Sequence, residues 1–478
     1  MNKNLLKILQ SFSKEEWKRF EDFLKSPFFV KGRNYSGLIS LIRKNIGNEK
    51  ADEVLTHDYF NRHLKEPISK TSFKSRLSEL NNLALKFLHY INAVNDKSAY
   101  IAGIFDELDR RNLYSNIHFL NTQSGFKLKP GSLYDYPSYM KVLKAVGSYN
   151  IDVNNMDKYH DYFNEYNNHF VAYALFSLIT TAYSYNGYEG TKIEENKEWF
   201  MKVYSSINFD ELVQGVKGNP VYVEVILMHY IVKAMLNWQD ESLFLTAFEY
   251  FASNYKSFPE IMKELFYLHL QSLCVHGVSN GIEKYYEYYL DTIKHKKANN
   301  YPVITNLNRE RCSEFHDIVS AALKCGEIEW TEKFIKDYLP LVNPESRELD
   351  RVSSLTALNV KRKNFLAARK IMKEFANTDN KFYGLEIRMY GVVVNYELGL
   401  DDELEKELHN MRRFIKNHHK LAPPLFDSMN LFVKNAGRLA SLKNKPRRKA
   451  EEFFNYIKSE RVLFPKKDWI LEKTEKLL

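Results

Sequence analysis

The residues best suited to chemistry are cysteines and histidines in the second half of the chain. Cys312 and His316 are four residues apart and would share one face of a helix. Cys274, close to His276, and Cys325 could lie on neighbouring helices, and such side chains are ligands for structural zinc. Their spacing matches no zinc pattern, however, and buried cysteines are common in helical cores. We therefore predict core positions for these residues and no bound metal.

Motifs for catalysis or for a bound cofactor are absent from the sequence. There is neither G-x-G-x-x-G nor G-x-x-x-x-G-K-[ST], so no phosphate-binding loop is predicted. Two acidic pairs, Asp106 with Asp109 and Asp401 with Asp402, fall on charged helix starts and faces. Carboxylates at a helix start interact favourably with the helix dipole. No nucleophile has an identifiable base and orienting partner. We predict a protein that is not an enzyme and needs no cofactor.

Basic residues give a better indication of a binding surface. The formal net charge is +9, and the excess of Lys and Arg lies at the two ends of the chain. Two groups stand out, and their members are Lys70, Lys74 and Arg76, and then Lys443, Lys445, Arg447, Arg448 and Lys449. A basic helix after a polar turn could be the recognition helix of a helix-turn-helix unit or could attract an acidic protein. Such residues are also ordinary solvated surface, so the alternatives stay open.

The elements that position these residues are predicted to be helices. In FSKEEW, Ser13 followed by Glu16 forms a capping box, in which each side chain accepts from the other residue's backbone N–H. A Ser-Pro step then stops the helix near Lys25, because the residue before proline is pushed out of the helical region. The next two side chains, Phe28 and Phe29, are expected to turn inward over the helix end.

A second strong helix is predicted over residues 72–94. Apolar residues recur at steps of three and four along residues 73–91, which is the helical period. This helix and the shorter helical segments before it are predicted to form a compact basic domain over residues 1–97. Residues 98–235 are predicted to form a central helical region.

Residues 236–478 show a recurring turn followed by a charged amphipathic helix. The turns are placed at Gln239, Gly277, Gly326, Lys363 and Gly399, and their spacings are 38, 49, 37 and 36 residues. A period near 37 residues fits two antiparallel helices with turns, as in tetratricopeptide-like arrays with a unit of about 34 residues. The predicted fold class is therefore all-α: a small N-terminal helical domain followed by an extended antiparallel helix array.

Cysteine usage and hydropathy predict a cytoplasmic protein. Three cysteines in 478 residues cannot form a disulfide framework and fit a reducing compartment. The longest uncharged span, residues 166–188, carries Asn, His, Ser, Thr and several Tyr, which predicts a buried helix near residues 170–185 rather than a membrane crossing. At the N-terminus, Lys7 interrupts the only short apolar run, so no signal-peptide core is predicted.

The N-terminal half also resembles a known group of proteins. The order FLKSPFF, FKSRLSELNNLALKFL and LDRRNLYSNIHF, followed by YNNHFVAYALFSL and YSYNGYEGTKIEENKEWF, resembles a large group of uncharacterised helical proteins of Bacteroidota. The resemblance implies a long helical cytoplasmic protein without known activity. It assigns no functional residues.

The predicted architecture favours a binding role. Arrays of stacked helices present a long concave groove rather than a closed pocket. We predict a non-catalytic scaffold or adaptor that binds a protein or peptide partner along such a groove, with the basic ends favouring an acidic partner. The alternative is a nucleic-acid-binding protein that uses residues 1–97 and the basic C-terminal segment.

Overall fold

The computed structural model describes residues 3–30, 32–47, 54–64, 66–123, 131–187, 196–304, 314–374, 381–419, 423–443, 445–459 and 464–478. Within these ranges every regular element is a helix and no strand occurs, which confirms the all-α prediction. The chain divides into two compact units, Met1–Ala174 and Leu175–Leu478, and the boundary falls inside one long helix.

Unit 1 is built from short and medium helices. They are α1 (Lys3–Gln10), α2 (Lys14–Lys25), α3 (Ser36–Asn45), α4 (His57–His63), α5 (Lys70–Asn95), α6 (Lys97–Arg110), α7 (Tyr114–Thr122), α8 (Tyr136–Asp152) and the first part of α9 (Met156–Gly187). One hydrophobic core joins residues of α1 to α5, and a second joins residues of α6, α7 and α8.

The predicted capping box begins α2. The Glu16 N–H donates to the Ser13 hydroxyl at 3.2 Å, and the Ser13 N–H donates to the Glu16 carboxylate at 2.7 Å. These bonds satisfy two backbone donors that the first helical turn leaves open. The helix ends at Lys25, as predicted, because the Ser-Pro step holds Ser26 in an extended conformation.

The prediction that both phenylalanines after α2 turn inward is wrong for one of them. Phe29 stacks on Phe23 with ring centroids 4.2 Å apart, whereas Phe28 is 83% exposed. Phe28 touches the inner ring only edge-on, at 5.0 Å from Phe29. In this tight turn only one of two consecutive side chains reaches the helix end. The sequence also predicts a solvated loop at Lys31, Gly32 and Arg33. Gly32 and Arg33 are exposed, and Lys31 lies outside the described residues.

The long helix predicted over residues 72–94 is α5. It begins two residues earlier than predicted, because Ser69 caps it by accepting from the Ser72 N–H at 3.2 Å, and it ends one residue later than predicted. The side chains of its apolar stripe are buried, including Phe73, Leu80 and Phe87. The stripe packs against α1 and α2 and completes the first core.

Unit 2 contains the rest of α9 and fifteen further helices in its described residues. They are α10 (Lys197–Ser205), α11 (Phe209–Gly215), α12 (Val223–Leu236), α13 (Glu241–Ser253), α14 (Glu260–Ser279), α15 (Lys284–Ala298), α16 (Glu314–Lys324), α17 (Ile328–Tyr338), α18 (Pro344–Lys361), α19 (Phe365–Glu374), α20 (Lys381–Glu397), α21 (Asp401–His418), α22 (Pro423–Leu442), α23 (Arg447–Ser459) and α24 (Lys467–Glu475).

Three of the predicted turns share one backbone geometry. Gly326, Lys363 and Gly399 have positive φ values of 80°, 60° and 68°. The backbone N–H of the residue that follows each of them donates, at 2.8–3.0 Å, to the carbonyl five positions before the donor. This is the Schellman motif, which ends a helix in a left-handed residue and turns the chain into the next helix. The turn predicted at Gln239 likewise falls between α12 and α13.

The turn predicted at Gly277 is wrong by four residues. Gly277 lies inside α14, and the residue with positive φ is Gly281, at 91°. The physical reason is a close helix contact, because a Cβ at Gly277 would lie 2.2 Å from the ring of Tyr285 on α15. This glycine therefore allows two helices to approach and does not turn the chain.

Helices of unit 2 pack mainly on their neighbours in sequence. Each helix from α12 to α21 contacts the next one in sequence. In addition, α12 contacts α14, α16 contacts α18, and α18 contacts α20. The helix predicted near residues 170–185 is part of α9, and Phe170 on it is half exposed rather than buried. In the described part of the chain, no helix has the length and apolar character needed to cross a membrane.

Candidate functional site

The N-terminal basic group lies on the first turns of α5. Lys70 and Lys74 are exposed there, and Arg76 is half buried. Its Nε is enclosed and has no hydrogen-bond partner among the described residues. Nearby positive charge is balanced in part, because Arg33 pairs with Glu79 of the same helix at 2.6 Å. This group belongs to unit 1.

The C-terminal basic group lies in unit 2 and is largely paired with carboxylates. Its ion pairs are Lys443 with Asp401 at 2.6 Å, Arg447 with Glu451 at 3.3 Å, Arg448 with Glu452 at 3.5 Å, and Lys449 with Glu452 at 2.8 Å. Lys445 lies exposed in the turn between α22 and α23. The three pairs within α23 lower the net positive charge that the run KNKPRRK suggested.

Lys443 also lies at one end of a groove between α21 and α22. The groove has a volume of roughly 950 Å³, and its charged lining comprises Asp401, Glu405, Arg412, Lys434, Arg438 and Lys443. The two helices run antiparallel, because Asp401 pairs with Lys443 at one end while Leu408 faces Gly437 further along. We refer to this feature as the α21–α22 groove.

Charge is unevenly distributed along the α21–α22 groove. Asp401 and Glu405 lie on the first turns of α21, in the half of the groove that Lys443 closes. Arg412, Lys434 and Arg438 line the groove from its middle, where Leu408 faces Gly437, toward the other end. None of the ion pairs of the described residues includes any of these three cations. We call them the basic half of the groove.

Both arginines of the basic half are exposed, and each lies against a neighbouring group. The Arg438 guanidinium lies over two rings of α23, at 4.7 Å from the centroid of Phe453 and 4.9 Å from that of Tyr456. Arg412 lies against the backbone of α22, since a Cβ on Gly437 would be 3.2 Å from its Nη2. A glycine inside a helix costs about 1 kcal/mol relative to alanine, and here it makes room for a guanidinium.

The cysteines and the histidine singled out from the sequence take separate positions. Cys274 is buried in α14, and Cys325 follows α16 with its side chain partly exposed. Burial raises the pKa of both thiols, which keeps them protonated. His316 contacts a carboxylate on α20, and Cys312 lies outside the described residues. In the ranges that the structure describes, no three His, Cys, Asp or Glu side chains converge as metal ligands would.

The carboxylate that His316 contacts is the centre of a polar cluster inside unit 2. His316 Nε2 lies 2.9 Å from Oε2 of Glu386, and the Ser353 hydroxyl donates to the same oxygen at 2.5 Å. Burial alone would raise the pKa of Glu386, but His316, Ser353 and Lys466 together hold it below the ordinary value. Burial also lowers the pKa of Lys466 to about 8, and its Nζ lies 4.6 Å from the ring centroid of Tyr390.

The geometry of this Glu386 cluster does not form a nucleophile and base pair. In serine hydrolases the hydroxyl donates to an imidazole, which a carboxylate then orients. Here Ser353 and His316 both contact the carboxylate itself. The cluster joins residues of α16, α18, α20 and the start of α24, where Lys466 has a left-handed φ of 60°. It therefore connects four helices of unit 2.

Sequence reasoning missed Glu386 and the basic half of the groove. Glu386 follows Tyr383 by three residues and precedes Tyr390 by four, so it shares their helix face, and both tyrosines are buried. A charged residue within an apolar stripe was the available signal. Arg412, Lys434 and Arg438 form no run in the sequence, and only the packing of α21 on α22 brings them together.

Comparisons with known proteins give no relative for this chain. No protein-family model, no curated protein and no solved structure matches it. The resemblance to helical proteins of Bacteroidota therefore stays a prediction.

Proposed function

We propose that the protein is a non-catalytic scaffold or adaptor that binds an acidic peptide segment of a partner protein in the α21–α22 groove. The observation that carries this proposal is the basic half of the groove, where three cations line an open cleft and form none of the ion pairs found among the described residues. Lys443, predicted as a binding residue, closes the opposite half.

As part of this proposal, the helices of unit 2 form an extended array of antiparallel helix pairs similar to tetratricopeptide repeats. The pairs α16–α17, α18–α19 and α20–α21 are each joined by a Schellman turn, and their turns recur at 37 and 36 residues. Grooves between stacked helices commonly bind extended or helical segments of other chains. The free thiols of Cys274, which is buried, and Cys325, which is partly exposed, fit the reducing cytoplasm as the place of action.

The charge of the groove favours an acidic occupant. Its lining contributes four cationic and two anionic side chains, so the net charge is positive. A segment with acidic residues beside Arg412 and Arg438 would form charge-assisted hydrogen bonds, which are about twice as strong as neutral ones. Its other end would meet Glu405 and would be neutral or basic.

Binding of a labelled peptide tests the proposal. The probe is a short fluorescein-labelled peptide of glutamates in a glycine-serine background, measured by fluorescence anisotropy at low salt and at physiological salt. Replacing Arg412→Gln and Arg438→Gln together removes two cations from the groove. We expect at least about a tenfold loss of affinity, because a hydrogen bond to a charged group contributes roughly 1.5–3 kcal/mol.

The matched control is Arg447→Gln with Arg448→Gln, which removes the same charge outside the groove. We expect this control to bind the peptide nearly as well as the unmodified protein. No binding at low salt, or equal losses in both double variants, would contradict the proposal.

A labelled single-stranded DNA tests the alternative in the same assay. Nucleic-acid binding would instead be supported if the protein binds this DNA and the affinity falls on replacement of one basic group by alanine. The two groups to replace are Lys445, Arg447 and Arg448, and Lys70, Lys74 and Arg76.

A further inference from the structure

We infer that the basic half of the α21–α22 groove recognises a phosphorylated side chain within the bound peptide. This inference rests on the function proposed above and specifies its ligand. Its basis is the presence of two positioned arginines and one lysine, all without carboxylate partners in the ion pairs of the described residues.

Arginine is well suited to this ligand. Its planar guanidinium can donate two parallel N–H bonds to a phosphate, whereas a lysine ammonium acts as a compact point charge. A fixed guanidinium loses less conformational entropy on binding than a mobile one. The Arg438 guanidinium lies over the rings of Phe453 and Tyr456, which restricts its orientation, and Arg412 lies beside the backbone at Gly437, the residue that precedes Arg438.

The lining favours one phosphoryl group over a continuous phosphate backbone. A nucleic acid that ran along the groove would place further phosphates beside Glu405 and Asp401, and like charges would repel. A phosphorylated peptide needs only its modified residue in the basic half. The remainder of the peptide would carry little negative charge past Glu405.

Gly437 has a defined role in this arrangement. A methyl group at this position would lie 3.2 Å from the Arg412 Nη2, so Gly437→Ala would move the guanidinium by a few tenths of an ångström. Geometry-dependent binding of phosphate would weaken, while the total charge of the groove would stay the same.

Three labelled peptides of one background sequence test the inference by fluorescence anisotropy. The first carries serine, the second phosphoserine, and the third two glutamates that match the charge of the phosphoserine. We expect the phosphoserine peptide to bind about tenfold more tightly than the glutamate peptide, because bidentate pairing adds to charge.

Variants in which lysine replaces arginine keep the positive charge. They distinguish recognition of the phosphoryl group from general electrostatic attraction. In Arg412→Lys with Arg438→Lys, the preference for phosphoserine should disappear while binding of the glutamate peptide is retained. Arg447→Lys with Arg448→Lys is the matched control and should leave the preference unchanged. Gly437→Ala should reduce the preference, and circular dichroism checks that each variant stays folded.

The outcomes distinguish the two proposals. Equal binding of the phosphoserine and glutamate peptides would overturn the inference and leave the proposed function intact. No binding of any peptide would overturn both. A third outcome is that single-stranded DNA displaces the phosphoserine peptide at equal phosphate concentration and binds the lysine variants equally well. This outcome would assign the site to nucleic acid and overturn the inference.

Discussion

His269 on α14 illustrates how burial alone can make a residue sensitive to pH. Its ring lies 4.2 Å from that of Tyr183, and burial lowers its pKa from 6.5 to about 4. In the folded protein the imidazole therefore stays neutral at pH 5, where the unfolded chain binds a proton. Protons consequently favour the unfolded state between these two pKa values.

We predict a loss of stability on mild acidification that depends on His269. The contribution of the neutral imidazole to the free energy of unfolding is complete above about pH 6.5 and decreases as the pH falls toward 4. Between pH 7 and pH 5 it decreases by about 2 kcal/mol. Urea unfolding of the unmodified protein and of His269→Gln at both pH values measures this difference. The variant should lose less stability on acidification.

The control for this prediction is His409→Gln, which removes an exposed histidine of the same unit. We expect its pH dependence to match that of the unmodified protein. A His269→Gln variant with the same acid sensitivity as the control would contradict the prediction.

At the scale of single elements, Lys363 is the exception among the Schellman turns. Gly326 and Gly399 occupy the equivalent left-handed positions, and Lys363 adopts a φ of 60° with a full side chain. A left-handed conformation costs a residue with a Cβ roughly 1–2 kcal/mol. This turn therefore forms because the helices on both sides favour it.

We predict that Lys363→Gly stabilises the protein by about 1 kcal/mol, because glycine adopts the left-handed conformation without that cost. Lys363→Ala removes the same side chain, including its 4.0 Å contact with Glu472, and should give no gain. Gly326→Ala should destabilise by a similar amount. Thermal unfolding of the three variants measures these differences, and equal effects of the glycine and alanine replacements of Lys363 would refute the explanation.

The contact between α14 and α15 gives a second prediction. A Cβ at Gly277 would lie 2.2 Å from the Tyr285 ring, which is 2% exposed and whose hydroxyl donates to the Trp238 carbonyl at 2.8 Å. The ring cannot move without losing this bond. We predict that Gly277→Ala destabilises unit 2 by about 2 kcal/mol, since overpacking exceeds the gain in helix propensity.

Gly103→Ala in α6 is the matched control, because a Cβ there meets no atom within 4 Å. It should raise stability by up to about 1 kcal/mol. Chemical unfolding followed by circular dichroism compares the two variants. We expect the changes in the free energy of unfolding of the two variants to have opposite signs. A stabilising Gly277→Ala would show that α14 and α15 can separate.

Features set by local chemistry were predictable from the sequence, and features set by packing were not. The capping box at Ser13 and the turns at Gly326 and Gly399 depend on residues within a few positions, and the structure confirms them. Gly277 appeared to be a turn because its role depends on Tyr285, which only tertiary packing brings close. The groove was hidden for the same reason, since Arg412 and Arg438 lie on different helices.

A dense run of charge in the sequence does not show which of its charges are paired in the fold. In KNKPRRK the basic residues are adjacent in sequence, but helix geometry places Arg447 one turn from Glu451 and pairs them at 3.3 Å. Arg438 is isolated in sequence and yet faces the groove without a carboxylate partner among the described ion pairs. Unpaired charge, rather than the density of charge along the chain, marks the candidate site.

At the scale of the whole molecule, the first core suggests that an N-terminal segment can fold alone. Every buried residue of that core lies between Leu5 and Ile91, and the next core starts at Ile101. We predict that a fragment of residues 1–97 is helical and unfolds cooperatively, because it keeps this core complete. Circular dichroism during heating measures both properties, and a gradual, non-cooperative transition would count against the predicted boundary near residue 97.

Two phenylalanines of the fragment provide a matched test of its core. Phe20 is fully buried, and its ring packs against Phe12, Trp17, Phe23 and Phe87, whereas Phe28 is 83% exposed. Phe20→Ala should cost about 3–5 kcal/mol, which is most of the stability of a domain of this size. Phe28→Ala removes the same atoms from the surface and should leave the melting temperature nearly unchanged. If both variants melt alike, this core does not hold the fragment together, and residues 1–97 depend on the remainder of the chain to fold.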